Sequence, residues 1–125
     1  MGYEIHCTES DFRIPRPRAA LEALREADRE RPIFDWREVT EEIQAATTLA
    51  EALEACCFEV ELSSDDKIEK LFYEGKLLTE LEDMARLFTV LAPYVKTGSF
   101  LDFHDAEGNA WRYSFKKERM RMTET

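Results

Sequence analysis

Five residues of the 125-residue chain have types and spacings that invite a chemical reading: Asp102, His104, Arg112, His6 and Cys7. A carboxylate, an imidazole and a guanidinium converging in a cleft would suit general acid–base work. The spacing argues otherwise. GSFLDFHDAEGNAWRYSF, residues 98–115, alternates apolar and polar residues on both sides of D-A-E-G-N. That pattern is two strands joined by a tight turn. Asp105 suits the first position of a type I turn, and Gly108 suits the left-handed position after it. The register then sets Phe103 opposite Trp111, Leu101 opposite Tyr113 and Ser99 opposite Phe115, which gathers the large residues on one face. Phe100, Asp102, His104, Ala110, Arg112 and Ser114 share the other face. There Asp102 and Arg112 read as a cross-strand ion pair rather than as catalysts.

A metal site built from His6, Cys7, Asp102 and His104 would need the first strand to lie beside this hairpin. With two histidines and no H-x-x-x-H or C-x-x-C spacing, no metal site and no cofactor are expected. Phosphate-binding glycine loops and the G-x-S-x-G nucleophile elbow are also missing from the sequence. Cys7, Cys56 and Cys57 are an odd set with an adjacent pair, which reads as reduced, partly buried thiols in a reducing, cytoplasmic setting. The expectation is a protein that is not an enzyme.

The elements that carry these residues follow from local signals. Y-E-I-H-C, residues 3–7, reads as a first strand, and the prolines of residues 12–18 keep that segment extended. Pro17 starts a helix over 17–29 with Ala20, Leu21, Leu24 and Ala27 on one stripe. Asp35 and Glu38 resemble a capping box for a helix over 36–45 that buries Trp36, Val39 and Ile43. Thr48 and Glu51 cap a third helix over 49–56, with Leu49, Ala52, Leu53 and Cys56 inward. F-E-V-E-L, residues 58–62, alternates with Phe58, Val60 and Leu62 inward. A strand near 68–73 returns from it, with either Ile68 and Phe72 or Leu71 and Tyr73 inward, depending on loop length. Thr79 and Glu82 form a capping box for a helix whose stripe is Leu81, Met84, Ala85, Phe88, Leu91 and Ala92, closed by Pro93. The expected fold is one α+β domain over residues 1–125: an antiparallel sheet of four or five strands, helices packed on one face, in the order β-α-α-α-β-β-α-β-β.

The net charge is −10, which disfavours direct nucleic-acid binding. No apolar run reaches membrane-spanning length, and residues 1–12 have no apolar core of a secretion signal. The excess charge is concentrated. Residues 32–66 hold ten acidic side chains and one basic one, Arg37, whereas the flanking segments are nearly balanced. Glu38, Glu41, Glu42, Glu51 and Glu54 avoid the helical apolar stripes. Glu59 and Glu61 point away from the core side of their strand, and Asp65 and Asp66 sit in the loop after it. These nine residues form the candidate partner-binding surface, with Phe100 as the apolar residue of the outer sheet face.

The blocks LAEALEACCFEVEL, IEKLFYEGKLL and LFTVLAPYVKTGSFLDFHDAEGNAWRYSF resemble a group of small acidic uncharacterised proteins of bacteria and their phages. The shared pattern is L-A-P-[FY]-V-x-x-G-S-[FY]-[IL]-x-[FM], an acidic–glycine turn, then W-R-[WY]-x-F. It covers about residues 48–116 and is carried by core and turn positions, so the resemblance implies a fold and no catalytic residues. By analogy with phage inhibitors such as anti-CRISPR proteins, the expected function is a non-enzymatic module that binds a basic protein partner, such as a nucleic-acid-binding effector. The alternatives are a soluble housekeeping or immunity-type module and a self-associating structural protein, the last as a homo-oligomer.

Overall fold

The structure is a computed structural model that describes residues 5–34, 36–65, 67–73 and 81–124. In chain order the elements are β1 (Ile5–Asp11), α1 (Pro17–Glu30), α2 (Arg37–Ala45), α3 (Leu49–Ala55), β2 (Phe58–Leu62), β3 (Ile68–Tyr73), α4 (Leu81–Leu91), β4 (Phe100–Asp105), β5 (Ala110–Lys116) and β6 (Arg119–Glu124), with a 3₁₀ turn at Ala92–Tyr94. The six strands form one sheet in the order β2-β3-β1-β4-β5-β6. Every neighbouring pair is antiparallel. The α+β class with an antiparallel sheet is as expected from the sequence, and β6 adds a strand beyond the four or five expected.

The hairpin register is the expected one. Phe103 pairs with Trp111, Leu101 with Tyr113 and Asp102 with Arg112, and Ser99 accepts from the Phe115 amide. The Asp105 carboxylate accepts from the amides of Glu107 and Asn109, which fixes the turn. A second hairpin then leads into β6 through Lys117 and Glu118, both at positive φ (51° and 67°). A two-residue loop of that geometry normally carries Asn-Gly. Lys-Glu carries no such signal, so β6 was invisible locally.

Two bulges decide which residues enter the core. In β1 the register shifts between Cys7 and Glu9, so Cys7 and Ser10 are both buried. The Ser10 hydroxyl donates to the Leu71 carbonyl and accepts from the Leu71 amide, tying β1 to β3. In the β2–β3 hairpin the register shifts next to Leu62. Ile68, Leu71 and Tyr73 are therefore all buried, a combination that neither unbulged loop allows. The same bulge leaves Leu62, expected inward, 46% exposed.

The helices cover one face of the sheet. α1, α2 and α3 bury the expected residues Ala20, Leu21, Leu24, Val39, Ile43, Leu49, Ala52, Leu53 and Cys56. Thr48 caps α3 as expected, accepting from the Glu51 amide. Asp35 and Thr79, the other expected caps, lie outside the described residues. The core centres on Phe88 of α4, whose ring meets Phe12, Phe58, Phe103, Tyr113 and Phe115 at centroid distances of 5.6 to 6.4 Å. Arg86, two residues earlier, donates to the carbonyls of Ala27, Arg31 and Pro32. A cation there adds to the bond that the Ala27 carbonyl already takes from the Arg31 amide and satisfies carbonyls just past the C-terminal end of α1. Asp28 is buried, accepting from the Ile33 amide and from Gln44 Nε2, and so locks α1 to α2.

Candidate functional site

Of the residues that first suggested catalysis, Asp102, His104, Arg112 and His6 lie on the sheet face away from the helices, and each is already engaged. Asp102 accepts from Arg112 Nε at 2.6 Å and from Nη2 at 2.9 Å. This bond, chiefly, pushes the guanidinium pKa up. The guanidinium carbon lies 4.2 Å from the Phe100 ring centroid, so Arg112 covers the one apolar residue assigned to the partner surface. β1 does lie beside β4, and His6 stacks on His104 with centroids 5.3 Å apart. Cys7 is on the opposite face, buried, with its thiol pushed up to about 12 by that burial. Among the described residues no group of three metal-ligating side chains forms.

The described carboxylates of the acidic stretch are all exposed. Glu38, Glu41, Glu42, Glu51, Glu54, Glu59, Glu61 and Asp65 all face solvent, and Asp66 lies outside the described residues. Their neighbours divide them. Glu51 accepts from the amide and hydroxyl of Thr47, whose bonds hold its carboxyl below the usual range. Glu41 pairs with Arg37 at 3.1 Å, and Asp65 with Lys67 at 3.9 Å. Glu38, Glu42, Glu54, Glu59 and Glu61 make no hydrogen bond or ion pair among the described residues.

Three of these carboxylates come together. Glu38 and Glu42 are four apart on α2, so they share a helical face. α3 packs on α2 and brings Glu54 to the same place. With Trp36, Val39 and Cys57 they line an open concavity of about 540 Å³. The expected burial of Trp36 is wrong. Its extended backbone makes it the residue before the first turn of α2, and the indole is 38% exposed. Cys57 reaches the concavity because it sits just past α3 in the left-handed region, φ 68°. Residues flanking a helix start turn with the chain entering it, so the helical stripe that contains Val39 and Ile43 does not extend to Trp36. A break at Pro32 and a short helix were the only sequence signals that could have flagged this.

Glu59 and Glu61 belong elsewhere. They stand on β2 at the edge of the sheet, on its outer face, opposite Phe72 and Lys70. Phe100 is on that same outer face but three strands away, about 14 Å at normal strand spacing. The described residues of the assigned surface therefore include two separate acidic groups, Glu38 with Glu42 and Glu54 and, elsewhere, Glu59 with Glu61, and a distant aromatic, rather than one patch.

No helix among the described residues is long and apolar enough to cross a membrane. Comparison with protein-family models, with curated proteins and with solved structures finds no match to this chain.

Proposed function

We propose that the chain is a non-enzymatic binding module whose α2–α3 surface takes a basic protein partner. The observation that carries this reading is the exposed indole of Trp36 among the carboxylates of Glu38, Glu42 and Glu54, which have no partner among the described residues. An arginine or lysine laid over the indole face gains about 0.5–2 kcal/mol, more as water is excluded. The carboxylates around it supply charge-assisted acceptors for the same cation. Tryptophan and arginine are also the residues that most often dominate protein interfaces. A carboxylate cluster presented this way imitates the phosphates that a nucleic-acid-handling effector binds in its basic groove, and occupying that groove makes the module an inhibitor of the phage type.

The test is capture of binding proteins from a bacterial lysate by the wild type, by Trp36→Ala and by Glu38→Lys/Glu42→Lys. The wild type is expected to retain basic, nucleic-acid-binding proteins that added DNA or RNA displaces and that salt weakens. Both variants are expected to lose them while unfolding at the wild-type temperature. Retention by both variants at the wild-type level refutes the proposal.

A further inference from the structure

Among the described residues the sheet ends in two strands of opposite charge. β2 and β6 are its edges. On the uncovered outer face β2 carries Glu59 and Glu61. β6 carries Arg119 and Arg121 on that same face, opposite Lys116 and Ser114. All four side chains are exposed, and none makes an ion pair among the described residues. On the inner face β2 presents Phe58 and Val60, and β6 presents Met120 and Met122. Met122 is 53% exposed at the lip of a groove that Trp111 and Tyr113 also line.

Among the described residues the sheet has six strands, each antiparallel to its neighbours, so β6 runs opposite to β2. A second copy in the same orientation can therefore set its β2 antiparallel to β6 with both outer faces on one side. One register then places Glu59 opposite Arg121 and Glu61 opposite Arg119, while Val60 meets Met120 and Phe58 meets Met122. A one-residue slip would put each charge across from a core-facing residue. Pairing like edges fails on charge, because β2 on β2 sets carboxylate beside carboxylate and β6 on β6 sets guanidinium beside guanidinium.

We infer that each edge is a docking site for a second copy of this chain, joined head to tail from β6 to β2 into a continuous sheet. Because the two edges differ, the contact is heterologous and does not close on itself at two copies. It is independent of the partner surface on α2 and α3, and the test uses the isolated full-length chain.

Sedimentation velocity at low salt over a range of protein concentrations is the experiment. The wild type is expected to rise in mass past the dimer as concentration increases. Glu59→Arg/Glu61→Arg is expected to stay monomeric, since both of its edges are then basic. Arg119→Glu/Arg121→Glu is expected to stay monomeric, since both are then acidic. An equimolar mixture of the two is expected to regain the wild-type behaviour, because each edge again meets its opposite. If either double variant loses its fold by circular dichroism, Glu61→Arg and Arg119→Glu serve in the same scheme. A wild type that remains monomeric at millimolar concentration, a mass that stops at two copies, or association unchanged by the reversals would overturn the inference.

Discussion

Replacing Phe88 by alanine removes a side chain on which the helix layer and the sheet converge. The ring is fully buried and meets aromatic rings from β2, β4 and β5, together with Phe12 just after β1. Truncating a buried Phe costs about 3–5 kcal/mol, depending on how far the surroundings collapse. Collapse is hindered here, because four of the five neighbouring rings, Phe58, Phe103, Tyr113 and Phe115, sit on paired strands, and the fifth, Phe12, is held by a hydrogen bond from its amide to the Glu69 carbonyl. The loss therefore belongs near the upper end, about 4–5 kcal/mol, which is a large share of the roughly 5–15 kcal/mol of a whole domain. At about 3–5 °C per kcal/mol for a chain of this size, Tm falls by roughly 12–25 °C. Phe100→Ala is the control. That ring is half-buried and held by one guanidinium, so its loss costs about 1 kcal/mol. Urea unfolding followed by tryptophan fluorescence measures both. A Phe88→Ala cost below 2 kcal/mol, or no larger than that of Phe100→Ala, refutes the placement of the core.

Lys117→Asn/Glu118→Gly is expected to stabilise the protein by about 1 kcal/mol in urea unfolding, since both positions have positive φ and neither native residue favours it; a loss of stability would contradict the turn geometry. Asp105, held below its ordinary 3.8 chiefly by the Asn109 side chain, contributes stability that is fully present above pH 3.8 and is lost as pH falls through the lower folded value. The acid limb of Tm against pH is therefore expected to flatten in Asp105→Asn, and an unchanged limb would contradict this. Of the three thiols, Cys57 is expected to react first with a thiol reagent in the native state, because Cys7 and Cys56 are buried and burial pushes both thiols up. Cys57→Ser is expected to abolish the fast phase, and its persistence would show that the buried pair opens readily.

The local signals fared best where a few adjacent residues contain the whole physical cause. The 98–115 hairpin is one such case, because the Asp105–Gly108 turn and the period-two alternation demand the same register. The stripe of α4 is another at Met84, Phe88, Leu91 and Ala92, while the Leu81 side chain lies outside the described residues; Leu87, off that stripe, is also buried, because α4 packs against α1 as well as over the sheet. The acidic stretch was legible as exposed, for charges avoid the apolar stripe of any element that carries them.

Alternation, capping and charge distribution thus determined the fold class, the hairpin register, the inward residues of the helices and the exposure of the glutamates. Tertiary structure alone decided the rest. Burial of Asp28 depends on Gln44 and the Ile33 amide arriving from outside its helix. The exposure of Trp36 and Leu62 depends on where α2 begins and on a one-residue bulge. The grouping of Glu38, Glu42 and Glu54 apart from Glu59 and Glu61 depends on α3 packing against α2 while β2 takes the sheet edge. A side chain's periodic position is set within a few residues, whereas what covers it is set by elements tens of residues away, and no local pattern encodes which of them arrive.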